Sequence, residues 1–261
     1  MKGGTKIGIF DSGLGGLIIT KAIRAALPQY DYVYLGDTKR VPYGNRSHEV
    51  VHQFTREGVE HLFNKENCGL VIIACNTASA RALREIQREY KDKKILGVLI
   101  PAAEEAVNFG KVGVLATEGT VASGTFIKEI NKLNGRVKVF QNPAPMLVPL
   151  IEAGEKNVKP FLVEYLEPLL KKNINALILG CTHYPILKKE IKEIAGKNIK
   201  IISQDEIVPK KLKDYLARHK EIERTLSKNK TANILVTDVT ENVTKLSKKW
   251  FGSLKIKLVE L

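Results

Sequence analysis

Leu70-Val-Ile-Ile-Ala-Cys75-Asn76-Thr77 and Leu177-Ile-Leu-Gly-Cys181-Thr182-His183 are two versions of one phrase. Each is an apolar run of strand character that closes on a small residue, a cysteine and polar side chains. An earlier pair repeats the relation, with Lys6-Ile-Gly8-Ile-Phe-Asp11-Ser12 echoed by Lys111-Val-Gly113-Val-Leu-Ala116-Thr117. The strand pair is offset by 105 residues and the cysteine pair by 106. Two similar halves, each presenting one thiol in one register, imply a site built between them with sulfur on both sides. Such a site suits proton transfer at opposite faces of one carbon.

Short β-branched runs alternate with amphipathic stretches along the whole chain, as expected for α/β layers with mostly parallel sheets. Strands are expected at Lys6–Phe10, Tyr32–Leu35, Leu70–Ala74 and Ile95–Ile100, the last stopped by Pro101. Helices fall between them at Leu17–Ala26, at Ser47–Asn64 with Ser47 as N-cap, and at Ala78–Tyr90. The second half repeats the scheme: strand Val112–Ala116, a helix from about Ser123, strand Val137–Phe140, helix Phe161–Lys171, strand Leu177–Leu179, a helix from Pro185 and strand Ile199–Ile202. A tail follows, with helix Val208–Lys220, strand Ile234–Thr237, helix Val243–Phe251 and strand Ile256–Val259. The tail is expected to return to the first half. That gives a discontinuous first domain, 1–97 plus 209–261, carrying Cys75, and a second, 98–208, carrying Cys181. The two are expected to be pseudo-symmetric, with the active site at their interface.

A chain of 261 residues with 44% hydrophobic content can bury a substantial core. Its apolar runs are too short and too interrupted to span a bilayer. Strand-like sequence begins within a few residues of Met1, which leaves no room for a signal peptide. Three cysteines do not make a disulfide framework, so a reducing cytoplasm is expected. The net charge of +14 is spread out and grows toward the C-terminal half without a nucleic-acid motif. It reads as a solvated lysine-rich surface, with non-specific polyanion affinity as its only consequence for nucleic acid.

In open α/β sheets, ligands sit at the carboxyl ends of the strands. Five such ends carry polar turns here: Asp11-Ser12-Gly13, Gly36-Asp37-Thr38, Cys75-Asn76-Thr77, Thr117-Glu-Gly119-Thr120 and Cys181-Thr182-His183. Each of the two matched cysteines precedes a helix start, where unpaired N–H groups favour thiolate and can also bind a carboxylate. Cys68, in Asn67-Cys-Gly before a strand, reads as an ordinary buried thiol. His183 is placed to tune or relay a proton for Cys181, and Asp11 to do the same for the other thiol. Gly13-Leu-Gly15-Gly16, with Asp37 downstream, resembles a dinucleotide turn, but Ile18 stands where the third glycine is needed. A zinc set of Cys75, Cys181, His183 and Asp11 lacks the usual close ligand spacing. No cofactor and no metal are therefore expected.

Gly8-Ile-Phe-Asp11-Ser12-Gly-Leu-Gly15-Gly16, Gly36-Asp37-Thr-Lys-Arg40-Val-Pro42-Tyr43-Gly44, Ala74-Cys75-Asn76-Thr77-Ala78-Ser79-Ala80 and Gly180-Cys181-Thr182-His183-Tyr184-Pro185 together resemble the signatures of the glutamate racemases, in the cofactor-independent aspartate/glutamate racemase family. The likeness runs to Thr237-Asp238 and Trp250-Phe-Gly252. It implies interconversion of L- and D-glutamate, supplying D-glutamate for peptidoglycan, in a cytoplasmic enzyme expected as a homodimer. It implies Cys75 and Cys181 as the two bases, with Asp11 assisting Cys75, and His183 with Glu152 assisting Cys181. Substrate would be bound by Asp11, Ser12, Pro42, Tyr43, Gly44, Asn76, Thr77, Thr117, Thr120, Thr182 and His183 together with the cysteines. In the family, the cysteine of the Ala-Cys-Asn-Thr motif deprotonates D-glutamate and its partner deprotonates L-glutamate.

Two departures stand out. Ile202-Ser203-Gln204 replaces a frequent Asp-Ser, and Pro101-Ala102-Ala103 replaces a frequent Pro-Gly. The first reads as a change at the domain boundary that leaves the chemistry alone. The N-terminal extension that some members use for regulation by a cell-wall precursor is not expected. Two other readings are weighed. An aspartate-specific relative would tend to carry Glu where His183 stands, and a nucleic-acid or topoisomerase-binding role would rest on the +14 charge alone.

Overall fold

The computed structural model describes residues 4–252 and 255–261. Its strands are β1 (Lys6–Asp11), β2 (Tyr32–Gly36), β3 (Cys68–Ile73), β4 (Lys94–Gly97), β5 (Lys111–Ala116), β6 (Lys138–Pro143), β7 (Ala176–Gly180), β8 (Lys200–Ile202), β9 (Ala232–Val236) and β10 (Ile256–Leu258). They form two parallel sheets, ordered β10-β9-β2-β1-β3-β4 and β6-β5-β7-β8. The first sheet takes strands from both ends of the chain, and the second lies wholly between them.

The helices are α1 (Gly16–Ala26), α2 (His48–Asn64), α3 (Asn76–Glu89), α4 (Leu99–Ala106), α5 (Glu118–Ser123), α6 (Thr125–Leu133), α7 (Leu147–Ala153), α8 (Lys159–Leu170), α9 (Lys188–Ala195), α10 (Gln204–Arg218), α11 (Lys220–Glu223) and α12 (Glu241–Trp250). They cover both faces of the first sheet, which is why its central strands read as nearly unbroken apolar runs. Ile7, Ile9, Tyr34 and Ile72 face α1, α10 and α12, whereas Phe10, Val33, Val71 and Ile73 face α2 and α3. Ser47 caps α2 through its side chain, which accepts the Val50 N–H as expected. Among the described residues, no helix is long and apolar enough to cross a membrane.

Four local expectations are corrected. The strand expected to reach Ile100 ends at Gly97, and Pro101 lies in the first turn of α4, where its missing N–H costs no hydrogen bond. The helix expected from about Ser123 is α6, beginning at Thr125, and an additional short helix, α5, precedes it across Gly124 at φ 62°. The helix expected from Pro185 begins as one tight 3₁₀ turn, Tyr184–Leu187, before α9. The tail helix begins at Gln204, four residues before the expected Val208.

Candidate active site

Cys75 lies two residues beyond the end of β3 and is the N-cap of α3. Its sulfur accepts hydrogen bonds from Ser12 Oγ at 3.2 Å and from the Ala78 N–H at 3.5 Å. Both donors favour a thiolate, yet burial of the sulfur outweighs them, and the nearby Asp11 charge adds to that effect. Together they push the Cys75 thiol up to about 12. The helix start therefore does not by itself activate this sulfur, contrary to the reading from sequence. Asp11, fully buried at the end of β1, is raised by burial, while the His183 charge and the Gly16 and Gly13 N–H groups pull it down. Its Oδ2 accepts the Gly13 N–H at 3.1 Å, and its buried Oδ1 has no partner among the described residues.

Cys181 follows β7 in the other half. Its sulfur lies 3.7 Å from His183 Nδ1, and His183 Nε2 lies 2.9 Å from Glu152 Oε1 on α7. Trp250 packs edge-on against the His183 ring at 5.4 Å between centroids. The two cysteine motifs meet through the turn after β1. A Cβ on Gly15 would stand 2.3 Å from Thr182 Oγ1 and 2.4 Å from His183 Nδ1. That glycine thus serves close approach to the second thiol's motif.

Three hydroxyls close the seam between the halves. Thr77 Oγ1 lies 2.9 Å from Thr117 Oγ1 and 3.3 Å from Thr120 Oγ1, and Thr117 donates to Thr120 at 3.0 Å. Beside them the Gly119 N–H donates to the Gly44 carbonyl at 2.7 Å. Cys75, Cys181, Asp11, Asn76, Thr77, Thr120, Thr182 and His183 are all buried, so the candidate site is closed.

Two expected substrate contacts have side chains engaged within the protein. The Tyr43 hydroxyl donates to Asp37 Oδ2 at 2.5 Å and its ring packs between Phe10 and Phe54, so what it offers a ligand is its backbone. The Asn76 carboxamide is paired with Gln204 along one edge, which takes one of its N–H groups and one of its lone pairs. Pro42, preceded by a cis peptide bond, is exposed on the loop before Tyr43.

Residues 16–205 match the sequence profile of the Asp/Glu/Hydantoin racemase family. The chain belongs to that family. A glutamate racemase of Chlorobaculum parvum (strain DSM 263 / NCIMB 8327) is 38% identical over 253 residues, covering 95% of this chain and 92% of that protein. The crystal structure of glutamate racemase from Francisella tularensis subsp. tularensis SCHU S4, in complex with D-glutamate, matches with a TM-score of 0.91 at 34% identity, covering 98% of each chain. The Escherichia coli glutamate racemase, in complex with L-glutamate and the activator UDP-MurNAc-Ala, matches with a TM-score of 0.78 at 26% identity, covering 98% of this chain and 99% of that one. The match confirms the expected fold, two parallel α/β units of the racemase type.

In this racemase-family chain, sequence reasoning missed Gln204 and the role of Thr237. Both stand at strand carboxyl ends, after β8 and β9, and the rule that picked out the five polar turns also points to them. Arg40, quoted above only within its motif, pairs with buried Asp37 at 2.6 Å and with Glu57.

His183 carries a pH signature. Burial alone would pull its pKa down, but hydrogen bonds and charges from Cys181 and Glu152 carry it from 6.5 up to about 10. A folded-state value above the unfolded one makes the bound proton stabilising. Its contribution is complete below pH 6.5, shrinks as pH rises through that window and is gone above about 10. Melting curves of the parent and His183→Asn proteins are expected to show a Tm gap widest at the acid end and narrowing across it. A gap that does not change with pH overturns the imidazolium assignment.

Proposed function

We propose that this chain interconverts L- and D-glutamate without a cofactor, using Cys75 and Cys181 as opposed bases. The observation that carries this reading is the separate acid–base company of each sulfur, Ser12 and Asp11 for one and the His183–Glu152 pair for the other. Membership of the family and relatives named glutamate racemase support the choice of substrate. Supply of D-glutamate to peptidoglycan in a reducing cytoplasm, and assembly as a homodimer, belong to the same reading. The domain limits 1–97 with 209–261 and 98–208 are proposed with it, and the division of strands between the two sheets supports them.

One sulfur, as thiolate, takes the α-proton. The electron pair left on carbon spreads into the carboxylate, and the opposite S–H delivers a proton to the other face. The first sulfur ends as thiol and the second as thiolate, so the protons balance and the roles exchange with direction. Charge growing on the carboxylate needs donors already aimed at it. The N–H groups of Asn76 and Thr77, the first residues of α3, have no intrahelical acceptors and fit that task. Burial favours the thiol form of Cys75, and an imidazolium stands beside Cys181. A substrate ammonium entering between the sulfurs lowers the cost of thiolate on either side. The halves must part to admit it and close again to exclude water.

The test follows the circular dichroism of pure D-glutamate with no added cofactor and with chelator present, aspartate being run in parallel. The glutamate signal is expected to decay to zero, and the aspartate signal to persist. Decay that needs pyridoxal phosphate or a metal, or that is faster with aspartate, overturns the reading.

A further inference from the structure

Gln204 reaches the first cysteine motif from the far side of the fold. It is the first residue of α10, two positions after the last strand of the four-stranded sheet. Its carboxamide and that of Asn76 form a reciprocal pair. Asn76 Nδ2 donates to Gln204 Oε1 at 2.7 Å, and Gln204 Nε2 donates to Asn76 Oδ1 at 2.6 Å. Both side chains are buried, at 2% and 1% exposure, so water does not compete for these bonds.

A carboxamide has two N–H donors and two acceptor sites on oxygen. A reciprocal pair uses one of each per partner, leaving one N–H and one lone pair on Asn76 directed away from Gln204. Taken alone, the pair is degenerate, because turning both amides over gives the same bonds. The Val98 carbonyl removes the degeneracy. It is an acceptor only, and it receives Gln204 Nε2 at 3.4 Å. The nitrogen of Gln204 is thereby fixed on the Val98 side, which places the oxygen of Asn76 opposite it and the nitrogen of Asn76 at the other edge.

The three groups come from different parts of the chain. Asn76 lies next to the Cys75 sulfur, Val98 lies where the chain leaves the six-stranded sheet, and Gln204 lies where it returns from the four-stranded one. The Val98 N–H also donates to the Ile73 carbonyl at 3.2 Å, which ties the crossing back to the last residue of β3, two positions before Cys75. We propose that Gln204 is a positioning residue for racemisation: it fixes which edge of the Asn76 carboxamide faces the substrate carboxylate, and presents a donor there. This rests on the reading that the start of α3 binds that carboxylate.

The test is a double-mutant cycle of Asn76→Ala and Gln204→Ala, with kcat and KM measured in both directions and melting temperatures alongside. Gln204→Ala is expected to lower kcat/KM by about 10- to 100-fold, as for a misplaced catalytic contact. The loss is expected mainly in kcat, since the carboxylate gains charge in the transition state. In the Asn76→Ala background the same substitution is expected to change kcat less than about twofold. Gln204→Met keeps the approximate size but has no N–H, so Asn76 Oδ1 and the Val98 carbonyl lose their donor without a charge being buried. It is expected to reproduce the kcat loss at temperatures where its melting curve shows it folded. Equal losses in both backgrounds, full activity of either variant, or activity lost only in step with unfolding overturns the inference. Parent protein that fails to racemise glutamate overturns the functional reading beneath it, whereas active parent with unimpaired Gln204 variants overturns the inference alone.

Discussion

Cys75→Ser and Cys181→Ser are each expected to lower glutamate racemisation by roughly 10³-fold, within the range for loss of a general acid–base group. Each sulfur must act as base in one direction and as acid in the other. A serine hydroxyl, a much weaker acid than a thiol, does neither at neutral pH. The effect should be symmetric for racemisation and asymmetric for half-reactions. With a glutamate analogue bearing a β leaving group, deprotonation alone suffices, because expulsion of that group replaces reprotonation. Cys75→Ser is then expected to process the L analogue, using Cys181, and Cys181→Ser the D analogue, using Cys75. The measurement is keto-acid release from each enantiomer beside loss of optical activity from glutamate. Racemisation by either serine variant at a rate near the parent's would sink the two-thiol scheme. So would elimination from both enantiomers by one variant.

Asp37→Ala is expected to cost about 3–5 kcal/mol of stability, the range for removing one member of a buried ion pair. Asp37 is fully buried at the end of β2. It accepts from Arg40 Nε at 2.6 Å, from the Tyr43 hydroxyl at 2.5 Å and from Thr237 Oγ1 at 2.8 Å. Removal leaves these donors without their acceptor, and Arg40 already has one buried nitrogen without a partner among the described residues. The same carboxylate holds the loop whose Gly44 carbonyl meets Gly119 across the seam. Activity should therefore fall at temperatures where the variant is still folded, by about 10-fold or more in kcat/KM. Asp37→Asn keeps an acceptor but loses the charge, and should lie between the variant and the parent. Denaturant melts and initial rates on one preparation check both effects. A melt unchanged in Asp37→Ala removes the carboxylate from its place at the centre of the loop.

The alternation of elements and the two sulfurs could be read from the chain because each rests on local composition. β-branched runs buried on both faces look the same wherever they occur, and Cys75 and Cys181 sit in matched phrases at their ends. Pro101 was opaque for the opposite reason. A proline after an apolar run marks the end of a strand or the first turn of a helix with equal force, and only the packing of α4 decides between them. Glu152 depends on the short helix α7, whose span from Leu147 is closed by Gly154 at φ 73° and is too brief for a periodic signal. The directions of the Tyr43 ring and the Asn76 carboxamide were beyond reach as well. Each is set by a partner distant in sequence, or across a loop, and side-chain identity does not encode which of several acceptors wins. The charge state of Cys75 belongs here too. A helix start argues for thiolate, but the depth of burial that reverses it is a property of the assembled halves.

The placement of β9 between β2 and β10 has a consequence for how the molecule is made. During vectorial synthesis, every strand of the sheet that spans 111–202 emerges before β9 does, so that layer can finish while its neighbour still lacks an edge. The Asp37 carboxylate then waits for Thr237, which leaves the ribosome 200 residues later. Until that hydroxyl arrives, the flank of β2 is open to foreign pairing, and a chaperone that shields it would guard a joint made late in synthesis.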